Sequence, residues 1–391
     1  MTLKILRAIL ILVFVFSFSV QSFAMTASES INNFAFNAAK ILASDNEGKN
    51  FFFSPYSIMT AFSMAYAGAK NETAKEIETV LGLNKELHKD FKENFRAIEG
   101  GSLLSANRVW LREGLTLKKE YSRTLVTYYG GKAKELDFEN KTEESRNIIN
   151  DWVSSKTNGK IQNLLQSLEP ETQMILTNAV YFNAEWEAKF NKDRTKDKDF
   201  YIDGENSVKV PMMTMRRDFD YAEDNGTKII RLPYDNERFS MIAVLPPKDV
   251  SFEDALKDFD YEKFHKLLTS MTEYEVDLWL PKFKTENHYE LKKLFEALGV
   301  NLAFSNFADF SGITDDTKLK IDEVIHQTFI DVNEERTEAA AATAIRMMKV
   351  TAMRPIEKPR AEFHADRPFI YFIYDERSKT ILFMGRQSFT E

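Results

Sequence analysis

Between residues 319 and 344, a segment that favours a β-strand is followed closely by one that favours a helix. Residues 319–332 alternate apolar and polar side chains, which is typical of a strand. Shortly afterwards, residues 339–342 are four consecutive alanines, which favour helix and carry almost no side chain. Read alone, the pattern predicts a short surface helix after a strand. A run of such small residues can also be exposed in one state and fit between buried strands in another.

The N-terminal residues are typical of a secretory signal. Lys4 and Arg7 precede an apolar run over residues 8–20, and small residues follow at Ser22 and Ala24. We expect residues 1–24 to be a signal peptide that is cut after Ala24. The alternative is an uncleaved anchor, for which the apolar run is short. Secretion is therefore expected, with the periplasm or cell surface as the destination if the source is bacterial, and with no membrane contact after cleavage.

The composition of the full 391-residue sequence limits the folds and functions that residues 25–391 can have. There are no cysteines, so no disulfide is expected, and 32 phenylalanines among 43% hydrophobic residues can supply a large core. A formal net charge of −8 without a basic patch argues against nucleic acid. We find no linker or repeat and predict a single domain. Five scattered histidines, no phosphate loop and no G-x-S-x-G motif indicate no enzyme, metal site or cofactor.

Apolar periodicity divides the chain into a mainly helical first half and a mainly β second half, which predicts an α+β fold. The predicted helices cover residues 28–43, 71–81, 142–165 (with a break at 158–159) and 289–298, and a further helix follows a short strand at residue 50, with Ser54 and Pro55 at its start, and continues to residue 67. The predicted strands cover residues 106–111, 174–182, 208–215, 227–234, 239–245, 275–281, 319–332, 369–374 and 380–385.

Several motifs, in the same order along the chain, resemble blocks of the serpin family. They lie at residues 50–58 (NFFFSPYSI), 176–186 (LTNAVYFNAEW), 280–283 (LPKF) with the helix to 299, 307–313 (FADFSGI), 363–369 (FHADRPF) and 383–386 (FMGR). The alanine-rich segment resembles the hinge of the serpin reactive loop. The resemblance covers about residues 28–386 and suggests a secreted, inhibitory member of bacterial type.

This resemblance implies a serpin fold with three β-sheets, eight to nine helices and an exposed reactive-centre loop at about residues 334–362. It also implies a suicide-substrate mechanism. A serine protease, or in some cases a cysteine protease, attacks the loop and forms an acyl-enzyme. The cut loop then inserts into the central sheet as an added strand and traps the protease. The chain would act as a monomer and would need no catalytic residue of its own.

The hinge inferred from the resemblance has small residues where a strand must enter. Thr337 would insert first and face the interior, whereas Glu338 would face outwards. Arg336 stands where inhibitory members usually have glycine, which is a more flexible residue. It supports the alternative of a non-inhibitory serpin that acts as a carrier or chaperone. The hinge comprises Glu334, Glu335, Arg336, Thr337, Glu338, Ala339, Ala340, Ala341 and Ala342.

Counting from Glu334 in the family's register places the reactive bond between Val350 and Thr351. Valine followed by a small residue suits an elastase-like protease. The segment from Thr337 to Pro368 is longer than in many members, so two other positions remain candidates for the reactive bond. Lys349 would suit a trypsin-like enzyme and Met353 a chymotrypsin-like one.

The resemblance also assigns two polar groups to the central sheet. A sheet-opening cluster would lie where the central strands part, although a lone histidine on a strand is more often a satisfied core residue. A loop-entry region would include a Lys282–Glu334 ion pair, which could instead be a solvated pair worth under about 1 kcal/mol. The cluster comprises Ser54, Ser57, Asn178 and His326, and the loop-entry region comprises Trp186, Lys282 and Glu334.

Overall fold

The structure is a computed structural model that describes residues 25–45, 48–98, 102–203, 205–337 and 358–389. These residues form nine α-helices, two short 3-10 helices and sixteen strands. The helices are α1 (Ala27–Asp45), α2 (Pro55–Tyr66), α3 (Asn71–Leu81), α4 (Leu87–Ile98), α5 (Lys119–Tyr129), α6 (Thr142–Lys156), α7 (Phe252–Asp258), α8 (Tyr261–Ser270) and α9 (Lys292–Leu298). The 3-10 helices are Lys192–Arg194 and Leu302–Phe304.

The strands are β1 (Phe51–Phe53), β2 (Leu103–Arg112), β3 (Lys134–Leu136), β4 (Met174–Phe182), β5 (Ala184–Glu185), β6 (Lys196–Tyr201), β7 (Ser207–Asp224), β8 (Thr227–Pro233), β9 (Phe239–Leu245), β10 (Thr272–Pro281), β11 (Phe283–Glu290), β12 (Glu323–Val332), β13 (Arg336–Thr337), β14 (Arg360–His364), β15 (Phe369–Asp375) and β16 (Thr380–Gln387).

One sheet contains seven strands and is central to the candidate site. Strands β3, β2, β4 and β12 lie in this order, and β11 pairs with the far edge of β12. The two-residue strands β13 and β5 extend the sheet beside the end of β12. We call this the central sheet. All nine residues of β4 are buried, since helices or the other sheets cover both of its faces.

The other nine strands form one hydrogen-bonded network that divides into two sheets. Strands β1, β16, β15, β9 and β8 form the larger sheet, which reaches the end of the long strand β7 at residues 221–224. Strands β6, β10 and β14 pair with each other or with the earlier part of β7 and form a small third sheet. Three sheets and nine helices among the described residues confirm the predicted serpin fold.

Helix α2 lies in the core beneath the central sheet, and all twelve of its residues are buried. The Ser54 hydroxyl accepts a hydrogen bond from the Ser57 N–H at 3.1 Å, and Pro55 occupies the first helical position. A serine cap accepts a hydrogen bond from an otherwise unpaired N–H, and proline has no N–H to leave unpaired. The two residues together are therefore a strong signal for the start of a helix. The start of this helix therefore brings Ser54 and Ser57 directly under the central strands.

Helix α6 packs on the outer face of the central sheet through a second apolar cluster that includes Trp110, Ile149 and Ile175. The indole of Trp110 meets that of Trp152 edge to face at 5.4 Å. No helix in the described part of the chain is long and apolar enough to cross a membrane.

Several predicted boundaries differ from the structure, among them the end of β7, which lies at Asp224 rather than at residue 215. Helix α6 ends at Lys156 and does not resume after 159, because Asn158 and Gly159 have φ of 53° and 74° and break the helical path. Leu164 and Leu165 are nevertheless buried, which explains their helix-like pattern. Tyr289 lies in β11 rather than at the start of a helix, and β12 begins at Glu323 rather than at residue 319.

Candidate functional site

The two central strands β4 and β12 run parallel and pair directly with each other. The register runs from Ile175 opposite Glu323 to Tyr181 opposite Phe329. We call this paired region the seam. A strand that entered the sheet here would have to separate these partners, which lie about 4.8 Å apart in a closed sheet, to roughly twice that distance.

At the upper end of the seam the chain reverses and begins to enter it. Thr337 of β13 pairs antiparallel with Val332 of β12, and on its other side with Ala184. The opposite edge of Val332 is already paired with Phe283 of β11, so β13 lies on the side that faces β4. The predicted hinge residues after Thr337, and the reactive-bond candidates at 349–351 and 353, lie outside the described residues.

The loop-entry region centres on the carboxylate of Glu334, which is only 5% exposed. Lys282 Nζ lies 2.9 Å from Glu334 Oε2, and Thr195 Oγ1 donates to Oε1 at 2.9 Å. Burial opposes ionisation of Glu334, but the hydrogen bonds from Lys282, its own backbone and Thr195 outweigh burial and lower the pKa of the carboxyl. The ion pair expected from the sequence is therefore present. Thr195 carries no sequence signal that would have identified it.

Trp186 binds the backbone on both sides of Glu334. Its indole N–H donates to the backbone O of Asn333 at 2.8 Å, and its backbone N–H donates to that of Glu335 at 3.1 Å. The indole stacks on Tyr234 with centroids 4.7 Å apart and planes 10° apart. The three predicted residues Trp186, Lys282 and Glu334 thus meet where the chain leaves β12.

Midway along the seam, the predicted sheet-opening residues meet on the inner face. The Ser54 backbone N–H donates to His326 Nε2 at 2.9 Å. Since an N–H can only donate, Nε2 is the acceptor and the imidazole proton lies on Nδ1, which donates to the backbone O of Asn178 at 3.2 Å. Burial, with a smaller contribution from His288, lowers the pKa of His326 to about 3. The ring is therefore neutral at physiological pH.

The sequence analysis missed Asn107, which completes this cluster. Asn178 Nδ2 donates to Ser57 Oγ and to Asn107 Oδ1, both at 2.7 Å. Ser57 Oγ also donates to Asn107 Oδ1, at 2.9 Å. An asparagine within strand β2, directly after Ala106, was the available signal. Among the described residues, Asn178 Oδ1 and Asn107 Nδ2 are buried without a hydrogen-bond partner.

Aromatic residues form the uppermost pair of the seam on its outer face. Tyr181 and Phe329 are register partners with ring centroids 6.4 Å apart. Lys284 Nζ lies 4.9 Å from the centre of the Phe329 ring, and Lys160 Nζ lies 5.7 Å from that of Tyr181. Contacts of this kind stabilise a closed seam by about 0.5–1.5 kcal/mol each.

The lower end of the seam carries acidic residues that the sequence did not indicate as a group. Burial, and then the nearby charges of Glu290, Asp322 and Glu169, raise the pKa of Glu323 to about 7. Asp322 accepts hydrogen bonds from the backbone N–H groups of Gln173 and Met174 at 2.7 and 3.2 Å. This end of the seam therefore changes charge near neutral pH.

Comparison with known proteins identifies the family. The family model described as serpin (serine protease inhibitor) matches residues 29–388, which is nearly the whole chain. The chain is a serpin. An uncharacterised serpin-like protein of Thermococcus kodakarensis is 39% identical to it over 365 residues, covering 91% of this chain and 84% of the relative. Serpin B6 of Pongo abelii is 37% identical over 378 residues, covering 92% and 98%.

Solved structures of other serpins are similar to this chain over most of its length. A tumour-suppressing serpin superposes with a TM-score of 0.83 at 28% identity, covering 92% of this chain and 98% of that one. Human thyroxine-binding globulin, solved in complex with thyroxine, gives a TM-score of 0.81 at 28% identity, covering 92% and 97%. The chain therefore belongs to a superfamily of protease inhibitors, whose members are generally not enzymes and act on target proteases, although some are non-inhibitory.

Proposed function

We propose that this serpin is a secreted suicide-substrate inhibitor of serine proteases, with elastase-like enzymes as the first candidates and trypsin-like or chymotrypsin-like enzymes as alternatives. A cysteine protease is a further possible target. The observation that carries the proposal is the position of β13. Its second residue, Thr337, already pairs with Val332 and Ala184 at the upper end of the seam. The residues that follow are one glutamate and four alanines, which offer little steric resistance to further entry.

The nucleophile that attacks the reactive bond belongs to the target protease and not to this chain. The protease hydroxyl attacks the carbonyl carbon of Val350, the peptide bond to Thr351 breaks, and the new amine of Thr351 leaves with a proton. Residues up to Val350 are then esterified to the protease. Insertion of the freed strand into the seam replaces strand-to-strand pairing by two new ladders, and it competes with hydrolysis of the ester.

Adduct formation tests the proposal directly. The purified chain is mixed with elastase, trypsin or chymotrypsin, and the products are separated on denaturing gels and weighed intact. An SDS-stable 1:1 adduct, with a released peptide that begins at Thr351, is expected. Cleavage without an adduct for all three proteases, and for a cysteine protease, would contradict inhibition.

A matched pair of variants tests the mechanism. Thr337→Arg places a charge on the inward face of the entering strand, where burial is costly, whereas Glu338→Arg places it on the outward face. We expect Thr337→Arg to be cleaved without forming an adduct and Glu338→Arg to inhibit as the wild type does. Equal behaviour of the two variants would count against insertion in this register.

A second candidate function is a non-inhibitory carrier or chaperone. Arg336 at a position where inhibitory members usually have glycine favours it, and the similarity to thyroxine-binding globulin shows that the same fold serves ligand binding in another serpin. The melting temperature after cleavage distinguishes the two functions. Cleavage in the loop should raise the melting temperature sharply in an inhibitor, and Arg336→Gly should then increase the adduct yield. An unchanged melting temperature would favour the carrier.

Secretion is part of the proposal and is tested separately. Expression of the full chain with its first 24 residues should yield an exported protein whose N-terminal residue is Met25. Retention of residues 1–24 on the exported protein would instead indicate an anchor.

A further inference from the structure

A cavity of about 430 Å³ lies beside the loop-entry region, where the small third sheet faces the larger sheet. It is lined by parts of β7, β8 and β10 and by the segment that follows β5. A volume of this size falls within the range of roughly 300–1,000 Å³ that is typical of small-molecule sites. Five apolar side chains that are at most 7% exposed form its inner wall, namely Trp186, Phe190, Phe219, Leu232 and Leu278.

The charged residues of the cavity lie at its mouth, where they are partly exposed. Glu187 pairs with Arg217 at 3.2 Å, and both side chains are about half exposed. Lys358 Nζ is shared between two carboxylates, since it lies 2.5 Å from Asp218 and 2.9 Å from Glu273. One ammonium group therefore offsets two negative charges on this side of the mouth.

A second cation is shared in the same way. The Arg231 guanidinium lies 2.6 Å from Asp220 and 3.0 Å from Glu376. Asp220 is also the register partner of Glu273 across β7 and β10. Like charges directly opposite each other destabilise a sheet, so a further cation at the mouth would reduce this repulsion. Among the described residues that line the cavity, four are carboxylates and three are cations.

We propose that the cavity binds a small organic cation, in which an ammonium or guanidinium group is joined to an apolar body. The apolar body fills the inner end against Trp186 and Phe190, and the cationic group lies at the mouth beside Asp220 and Glu273. Burial of the body supplies affinity, and the excess of carboxylates selects the sign of the charge. This inference goes beyond the proposed function and does not depend on it, because binding requires neither cleavage of the chain nor insertion of a strand.

Three probes with the same apolar body test the site. Phenylbutylamine is a cation, phenylbutanol is neutral and phenylbutyrate is an anion at neutral pH. Titration calorimetry of the purified chain measures the dissociation constant of each probe. We expect one amine to bind per chain, with a dissociation constant about tenfold lower than that of phenylbutyrate, and we expect added salt to reduce this difference. Equal binding of the amine and the carboxylate, or no saturable binding of the amine, would overturn the inference.

Two variants locate the site. Glu273→Gln removes one carboxylate from the mouth and should weaken binding of the amine about threefold to fivefold, while the affinity for phenylbutanol stays unchanged. Glu262→Gln, a change at an exposed position on α8, is the matched control and should bind both probes as the wild type does. Ala188→Trp places a large ring at a half-buried position that lines the cavity, and it should abolish binding of both probes.

The unfolding midpoint is measured for each variant. Glu273→Gln should not lower it, because the change removes the repulsion with Asp220, so weaker binding by this variant cannot be attributed to unfolding. Unchanged affinity of Glu273→Gln for the amine would overturn the position given to the cationic group. Wild-type binding by a folded Ala188→Trp would overturn the cavity as the site.

Discussion

Glu334 and Glu323 lie at opposite ends of the same seam and have opposite acid–base behaviour. Glu334 is more deeply buried, yet hydrogen bonds from Lys282 and Thr195 lower the pKa of its carboxyl. Glu323 is half-buried beside other carboxylates, and its pKa is raised to about 7. The chain enters at the end where Lys282 pairs with Glu334. At the far end Glu323 lies near other carboxylates, of which Asp322 is paired with Lys320 at 3.5 Å. Burial raises the pKa of both carboxyls, but only Glu334 has hydrogen-bond donors that outweigh burial.

The largest effect that we expect lies between the two ends, at His326. In the unfolded chain this histidine protonates near pH 6.5, whereas in the folded protein it stays neutral down to about pH 3. The unfolded state therefore binds more protons over this window, and stability falls as the pH falls. The free energy of unfolding should drop by about 3 kcal/mol between pH 6.5 and 4 because of this group alone.

Denaturant unfolding at a series of pH values, compared between wild type and His326→Gln, measures this contribution. His265→Gln, a change at an exposed position on α8, is the control and should keep the wild-type slope. A His326→Gln profile that parallels the wild type below pH 6.5 would show that the imidazole is not buried in neutral form.

Removing the cation at the upper end should have the next largest effect. Lys282→Met leaves the buried Glu334 carboxylate without its ammonium partner, and we expect a loss of about 2–3 kcal/mol in unfolding free energy at pH 7. Lys192→Met is matched to it, because Lys192 pairs with the adjacent Glu335 but is 66% exposed. That variant should stay close to wild type, because solvent screens an exposed pair. Similar losses for both variants would remove the distinction between the loop-entry pair and an ordinary surface pair.

The contribution of the lower end of the seam to stability should change with pH in the direction opposite to that of His326. The pKa of Glu323 is higher in the folded protein than in the unfolded chain, so its contribution to stability is complete below pH 4.5 and is lost as the pH rises through 7. Glu323→Gln should therefore be more stable than wild type by about 2 kcal/mol at pH 8 and equally stable at pH 4.5.

Unfolding midpoints at both pH values test this expectation. The control is Glu362→Gln, at an exposed position on β14, which should match wild type throughout. A Glu323→Gln variant without a gain at pH 8 would mean that the acidic neighbours do not destabilise the lower end of the seam.

The smallest effect concerns the aromatic pair next to the entry point. Phe329→Leu removes the contacts with Tyr181 and Lys284 and should cost about 1 kcal/mol. Because this pair is the first that an entering strand must part, the variant should also insert a synthetic peptide of residues 337–349 several-fold faster. Phe307→Leu is the control, since that ring is 83% exposed. Unchanged insertion kinetics in Phe329→Leu would exclude a role for the pair in opening.

Much of the architecture could be predicted from short sequence patterns. Strands β4 and β9 and helix α3 have the predicted bounds, and the start of α2 follows from its serine–proline pair. Such features depend on neighbours within a few residues, which the sequence displays directly. The family blocks also indicated which polar residues would meet, including Ser57 with Asn178 and Lys282 with Glu334.

Other features arise from contacts between distant parts of the chain. Asn107 joins the sheet-opening cluster only because β2 pairs with β4, and Thr195 reaches Glu334 across 139 positions. The loop after α6 mimics a helix in its apolar spacing because its leucines fill the same cluster as α6 itself.

The sequence by itself determined that this chain is a serpin, where its central strands lie, and that small residues follow the last of them. Only the tertiary structure decided the register of the seam, the proton position on His326, and the opposite acid–base behaviour of Glu323 and Glu334. The physical reason is that pairing register, desolvation and charge–charge interaction depend on which strands lie side by side, and residues 175 and 323 become neighbours only when the sheet forms.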